Sequence, residues 1–142
     1  MKVYADTSFL VSLYSPDANS ARAANTMQHS RGDHIITTFA ELELINALQL
    51  RIFRKELSGI EVHSALQALE GDLQNRLFSL VPLPEQTFER ARQLSLKTTA
   101  QLGTRTADLL HVAAALEVNA DYLYSFDQHQ RELAQQLHLK LN

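Results

Sequence analysis

Acidic residues stand at four separated places in this chain, each beside a predicted strand end or helix start. They are Asp6, Glu41, Glu43, Asp108 and Asp127. Carboxylates that converge within a few ångströms cannot all stay ionised without a cation between them. Carboxylate oxygens favour Mg²⁺ or Mn²⁺, and the chain has no cysteine to offer zinc. A cation held by acids suits phosphodiester hydrolysis, because it polarises the phosphate and activates a bound water.

Each acid also has a purely local interpretation. Asp6 can cap the following helix, Asp108 can be an ordinary acid of a first helical turn, and Asp127 can be a turn residue. Glu41 and Glu43 can both be solvated helix residues. Because they are two positions apart they do not share a helix face, so at most one points into a site. The argument for a site is that the acids occupy equivalent ends of successive elements.

The pattern of apolar residues predicts strands that alternate with helices. The predicted strands are Val3–Ala5, His34–Thr38, Ser79–Leu83, Asp121–Phe126 and His138–Leu141. Seven helices are predicted. The first is capped by Thr7 and Ser8, the second starts at Ser15-Pro16, and the third covers Phe39–Lys55. The fourth follows the capping box of Ser58 and Glu61, the fifth is opened by Pro84, the sixth is capped by Thr106, and the last covers Arg131–Leu137. This order predicts an α/β fold around a mainly parallel sheet, whose carboxyl edge forms the ligand crevice.

Length and composition exclude several classes of protein. The 142 residues, of which 45% are hydrophobic, predict one domain over residues 1–142 rather than a disordered chain. No apolar run approaches the roughly 20 residues that a membrane span needs, and no signal-peptide pattern is present, so we expect a cytoplasmic protein. The formal charge of -3 argues against a protein that coats nucleic acid through its overall positive charge, so any nucleic-acid contact must come from a local patch.

Four blocks of sequence carry a resemblance to a known family. They are Val3-Tyr-Ala-Asp6-Thr-Ser, Glu43-Leu-Ile-Asn-Ala-Leu, Arg105-Thr-Ala-Asp108-Leu-Leu-His and Ser125-Phe-Asp127. In this order they resemble the PIN-domain nucleases, in particular the VapC toxins of bacterial toxin–antitoxin pairs. The resemblance implies a three-layer α/β/α fold and a Mg²⁺-dependent endoribonuclease, with Mn²⁺ as an alternative ion. It also implies an RNA substrate, a cognate antitoxin and a homodimer.

The resemblance further implies roles for individual residues. Asp6 and Asp108 look like the main metal ligands, Glu43 like the second acid with Glu41 as its ambiguous neighbour, Asp127 like the fourth acid, and Thr7 and Ser125 like the hydroxyl residues that order the acids.

Basic and histidine residues near these blocks are the remaining candidates. Arg51, Arg54 and Lys55 extend along the helix of Glu43, where they can hold RNA phosphates or form a solvated basic face. Arg105 can pair with an acid or with a phosphate. For His111, one turn after Asp108 among apolar residues, we expect a hydrogen-bonded core histidine rather than a catalytic one.

Two other classes of function stay open. A phospho-acceptor protein or a phosphatase also places an aspartate after the first strand. Asp6 lacks the neighbouring acid of a receiver domain, and Ser8 stands where a dehalogenase-type phosphatase needs a second aspartate. A non-catalytic interaction module, in which the acids merely cap helices, is the third possibility.

Overall fold

A five-stranded parallel sheet runs through the centre of the computed structural model, which describes residues 1–142. The strands are β1 Lys2–Ala5, β2 Asp33–Thr37, β3 Ser79–Val81, β4 Tyr122–Tyr124 and β5 Lys140–Leu141. Their order is β3-β2-β1-β4-β5, and every neighbouring pair is parallel. Strand β1 lies in the middle, so its apolar residues are covered on both faces.

Helices cover the two faces of this sheet. They are α1 Thr7–Tyr14, α2 Ser20–His29, α3 Thr38–Phe53, α4 Gly59–Gln74, α5 Thr87–Leu94, α6 Ala100–Leu102, α7 Thr106–Glu117 and α8 Gln128–Gln136, with a π-helical turn Ser95–Thr99 between α5 and α6. Val3 and Ala5 pack into the core under α1 to α4, whereas Tyr4 packs into the core under α5, α7 and α8. This alternation confirms the three-layer α/β/α fold.

The order of the strands reverses direction at β1. The chain moves from β1 to β2 and β3 on one side, and then crosses to β4 and β5 on the other. In an open α/β sheet, ligands bind in the crevice outside the carboxyl ends of the strands at such a switch point. Asp6 follows β1 and Ser125 follows β4, and the backbone N–H of Asp6 donates to the carbonyl of Tyr124 at 3.0 Å.

The ends of the helices follow local side-chain chemistry. The capping box of α4 is confirmed, with Ser58 and Glu61 each accepting a backbone N–H of the other. Of the two caps considered for α1, Asp6 is confirmed, because it accepts the N–H of Phe9 at 2.8 Å, and the prediction that Thr7 and Ser8 cap the helix is wrong. A carboxylate is at least as good an acceptor as a hydroxyl in that position.

Three helices start away from the predicted residue, and a fourth has a different cap. Helix α5 begins at Thr87 rather than at Pro84, whose carbonyl accepts the N–H of Thr87 at 3.0 Å in a preceding turn. Arg105 rather than Thr106 is the N-cap of α7. Helix α2 begins at Ser20 rather than at Pro16, because the Asp17 carboxylate accepts the N–H of Asn19 at 2.7 Å and holds a turn there. Helix α8 begins at Gln128, before the predicted Arg131, because Asp127 caps it. None of the helices combines the length and the apolar character that crossing a membrane requires.

Candidate active site

A polar cavity of about 380 Å³ opens where the carboxyl edge of the sheet meets the starts of α1, α7 and α8. Its lining residues are Thr7, Ser8, Glu43, Arg105, Ala107, Asp108, His111, Asp127 and Gln130. Three of the predicted site acids therefore border one space, although they come from helices that are far apart in the sequence. Glu41 is not part of this lining, so the structure places Glu43 rather than its neighbour at the cavity.

Asp6 lies beneath the cavity and is fully buried. Ser8 Oγ donates to its two oxygens at 2.8 and 2.9 Å, and Ser125 Oγ donates at 2.7 Å. Burial raises the pKa of the Asp6 carboxyl, while His111, Ser125, the Phe9 N–H and Ser8 act in the opposite direction without cancelling the shift. A buried carboxylate whose ionised form is disfavoured gains from a nearby cation, provided that the hydroxyl of Ser8 turns away.

Glu43 enters the cavity from the second turn of α3. One of its oxygens, Oε1, accepts Thr7 Oγ1 at 2.7 Å and His111 Nε2 at 2.5 Å. Partial burial raises the pKa of Glu43, but the hydrogen bond and charge of His111 and the bond from Thr7 outweigh it and hold the pKa below its ordinary value. Glu43 is therefore ionised at neutral pH, and its second oxygen makes no hydrogen bond.

Asp108 and Asp127 lie at the first turns of two helices, where the helix dipole stabilises negative charge. Asp108 accepts the N–H of Arg105 at 2.8 Å, and Asp127 accepts the N–H of Gln130 at 3.1 Å. The guanidinium of Arg105 spans both acids, at 3.7 Å from Asp108 and 3.8 Å from Asp127. Arg105 is the one arginine or lysine that lines the cavity, and it partly neutralises these two carboxylates.

Hydroxyl residues join the acids to one another. Thr7 donates to Glu43, as described above, and Ser125 donates to Asp6 while accepting the N–H of Asp127 at 3.0 Å. Ser8 was not singled out from the sequence as a site residue, yet it contacts both oxygens of Asp6. Its position two residues after an aspartate in a strand-to-helix turn is the signal that could have indicated it.

Two further residues of the cavity were also missed. His111 is buried and hydrogen-bonded, as expected of a core histidine, but one of its partners is Glu43. Gln130 is buried with its amide nitrogen 3.4 Å from Asp108, while its amide oxygen has no partner. His111 lies three positions after Asp108, which places both side chains on one face of α7 and could have indicated a shared site.

The basic residues of α3 lie away from the cavity. Arg51 donates to the Ser15 hydroxyl and, at 3.3 Å, to the Pro16 carbonyl. Arg54 caps the end of α3, and Lys55 follows it with a left-handed φ of 62°. Eight residues separate Glu43 from Arg51, which is about 12 Å of helix. An RNA-binding role of these residues therefore stays a prediction that concerns a surface beyond the cavity rim.

The chemistry of the donor set fits a hard divalent cation. Glu43, Asp108 and Asp127 offer carboxylate oxygens to the cavity, above the buried carboxylate of Asp6, and no second histidine or thiolate competes with them. No group of three or more acidic or histidine side chains is close enough in this arrangement to hold a metal ion. Cation binding therefore requires the acids to approach one another, with Arg105 and the hydroxyl of Ser8 as the groups that must yield.

Fold and site together define an α/β protein with a carboxylate-lined pocket at the switch point of its sheet. The profile of the PIN domain family matches residues 3–136, and the chain belongs to that family. A comparison with curated proteins found no match.

Solved structures share the fold at low sequence identity. VapC20 of Mycobacterium tuberculosis, described as a sarcin-ricin loop cleaving toxin, is 15% identical with a TM-score of 0.71, over 92% of this chain and 94% of that one. VapBC2 of Rickettsia felis, bound to a DNA fragment from its promoter, is 17% identical with a TM-score of 0.68, over 100% and 98% of the two chains. FitAcB of Neisseria gonorrhoeae is 17% identical with a TM-score of 0.67, over 98% and 95%.

Proposed function

We propose that this protein is an endoribonuclease that depends on Mg²⁺ or Mn²⁺ and serves as the toxin of a toxin–antitoxin pair. The observation that carries the proposal is that three carboxylates from separate elements line one cavity in a chain of the PIN domain family, with the buried carboxylate of Asp6 bonded to Ser8 of the same lining. The ribonuclease assignment is supported by the fold shared with VapC20, which is described as a sarcin-ricin loop cleaving toxin. The antitoxin partner is supported by the fold shared with VapBC2.

Each acid has its own part in the proposed reaction. Asp6 and Asp108 would hold the cation, and Asp127 would support them from the start of α8. A divalent cation, when bound, polarises the phosphate and lowers the pKa of the attacking water. Glu43, ionised and held by Thr7, accepts the proton of that water.

The other polar residues of the cavity position these groups and the substrate. Ser125 links Asp6 to the backbone of Asp127 and so keeps two acids in register. Arg105 is exposed and beside the acids, so its guanidinium can leave the carboxylates and donate to a phosphate oxygen of the RNA.

The neighbours of Asp6 in the sequence argue against the phospho-acceptor alternative. Thr7 stands where a receiver domain has a second acid, and Ser8 stands where a dehalogenase-type phosphatase needs a second aspartate. The interaction-module alternative differs in a measurable way, because such a module would gain no stability from a divalent cation.

The experiment that tests the proposal is an RNA cleavage assay. The purified chain is incubated with a panel of structured RNAs that includes tRNAs and ribosomal RNA fragments, in Mg²⁺, Mn²⁺ or EDTA. We expect cleavage only with a cation, loss of cleavage in Asp108→Asn, and full cleavage in Asp33→Asn, which removes an exposed acid outside the cavity. Cleavage that persists in EDTA or in folded Asp108→Asn would overturn the proposal.

We also propose that the chain forms a homodimer. Light scattering coupled to size exclusion then gives twice the mass of the chain. A mass equal to that of one chain at micromolar concentration would contradict this.

A further inference from the structure

His111 stands in the middle of a buried chain of hydrogen bonds that ends at the cavity. Its Nε2 is 2.5 Å from Glu43 Oε1, and its Nδ1 is 2.9 Å from the hydroxyl of Tyr4. That hydroxyl is 3.1 Å from Thr37 Oγ1, which accepts the N–H of Ala40 at 3.2 Å and so caps α3. The chain of bonds therefore joins the start of α3 to the carboxylate that the same helix carries.

The hydrogen-bonding capacities of these groups fix the direction of the bonds. An ionised Glu43 only accepts, so the proton shared with it belongs to His111 Nε2. When the imidazole is neutral, Nδ1 accepts, which makes the Tyr4 hydroxyl a donor to His111 and an acceptor from Thr37. Burial raises the pKa of the Tyr4 phenol, so Tyr4 keeps the proton that it donates. For the neutral imidazole, this one arrangement of protons satisfies every member.

The surroundings of the imidazole hold it in place. His111 is 1% exposed, and its ring lies 4.9 Å from the ring of Phe39 between centroids. The ring is also tilted against that of Tyr4 at 5.9 Å. A ring enclosed in this way cannot turn to exchange its two nitrogens without disturbing the core. Its Nε2 is therefore directed at Glu43.

We propose that His111 is a positioning residue, which fixes the carboxylate of Glu43 in the cavity through a tautomer that Tyr4 selects. The catalytic consequence rests on the proposed nuclease function. The tautomer and the hydrogen bond do not, because they concern the protein alone.

The first experiment reads the tautomer in the full chain, without RNA or divalent cation. Nitrogen-15 NMR of the histidine side chains distinguishes a protonated Nε2 from a protonated Nδ1, and His111→Gln assigns the signal. We expect protonated Nε2 with bare Nδ1 in the parent chain, and a shift of this signal in Tyr4→Phe. The matched control Tyr124→Phe, which removes a buried hydroxyl bonded to Ser30, should leave it unchanged. A bare Nε2 or a protonated Nδ1 in the parent chain, or equal signals in Tyr4→Phe and the parent, would overturn the proposal.

The second experiment replaces His111 by each of two amide residues, in order to separate its positioning role from its packing in the core. Glutamine places its amide nitrogen near the position of Nε2 and can still donate to Glu43, whereas asparagine reaches only toward Tyr4. We expect His111→Asn to lower kcat for RNA cleavage at least about tenfold at unchanged KM, and His111→Gln to retain most of kcat. His63→Gln, an exposed histidine on α4, is the control for the change of residue type.

Several outcomes would overturn the positioning role. One is an equal loss of kcat in the glutamine and asparagine variants, and another is an effect on KM alone. If the parent chain cleaves no RNA, the nuclease proposal fails, and the NMR experiment still decides whether His111 holds Glu43. If His111→Asn does not fold, Tyr4→Phe replaces it, with a smaller loss of kcat expected at unchanged KM.

Discussion

Replacing Asp6 by asparagine should stabilise the cation-free protein. Asp6 is fully buried, and burial raises its pKa above the ordinary value of 3.8. The folded state then binds the proton more tightly than the unfolded state, so stability falls as pH rises from about 4 through the folded pKa. Asparagine carries no charge, and it caps a helix as well as aspartate does. The hydroxyls of Ser8 and Ser125 can rotate to accept from its amide.

The size of this gain follows from the linkage between proton binding and folding. Each unit by which the folded pKa exceeds the unfolded one corresponds to about 1.4 kcal/mol of unfolding free energy at neutral pH. In a chain of this size, each 1 kcal/mol of unfolding free energy corresponds to roughly 3–5 °C in Tm. The difference in unfolding free energy between Asp6→Asn and the parent chain should be small near pH 4 and should increase as pH rises.

Thermal unfolding of both proteins in EDTA from pH 4 to pH 8 measures this difference in stability directly. Asp33→Asn, which removes an exposed acid, should shift stability by less than about 0.5 kcal/mol. Addition of Mg²⁺ at ten times its Kd should stabilise the parent chain by about 1.4 kcal/mol and leave Asp6→Asn unchanged. An asparagine variant that is less stable than the parent at pH 7 in EDTA, or a difference in stability that does not vary with pH, would refute the reasoning.

Two further substitutions test the charge balance of the cavity. Arg105→Ala should raise the affinity for Mn²⁺ about two- to fivefold, because an exposed guanidinium near two carboxylates offsets only part of their charge. Calorimetry measures this affinity, and an unchanged or weaker affinity would contradict the prediction. Ser125→Ala should lower cation-free stability by about 1.5–3 kcal/mol in denaturant titrations, because it removes a hydrogen bond to a buried carboxylate. The loss should shrink when Asp6 is already asparagine, and an equal loss in both backgrounds would argue against that hydrogen bond.

Local sequence patterns were enough to predict the strands and most of the helices of the fold. The apolar run Val3–Ala5 indicated a strand that is buried on both sides, and β1 is the central strand. The capping box of Ser58 and Glu61 marked the start of α4 within a few residues. Such signals depend on neighbours in the chain, so the sequence carries them directly. The carboxylate cap Asp6 was among the interpretations of the sequence, whereas the start of α8 at its cap Asp127 was missed.

Contacts between distant residues decided the arrangement of the site. Glu41 and Glu43 are equivalent as a local pattern, and only the rotation of α3 against the sheet brings Glu43 to Thr7, 36 residues away. The sequence alone predicts that His111 is a core residue, and only the structure shows that Glu43, 68 residues away, lies beside its Nε2.

The sequence by itself determined the alternation of strands and helices and the set of acids beside strand ends and helix starts. The order of the strands, and with it the switch point at β1, came only from the tertiary structure. The tertiary structure decided which acids share the cavity, how deeply Asp6 is buried, and that Arg105 rather than Arg51 faces the carboxylates. The reason is that the type of an element depends on short-range periodicity. The direction of a side chain depends on how that element is rotated and packed against residues that the sequence places far away.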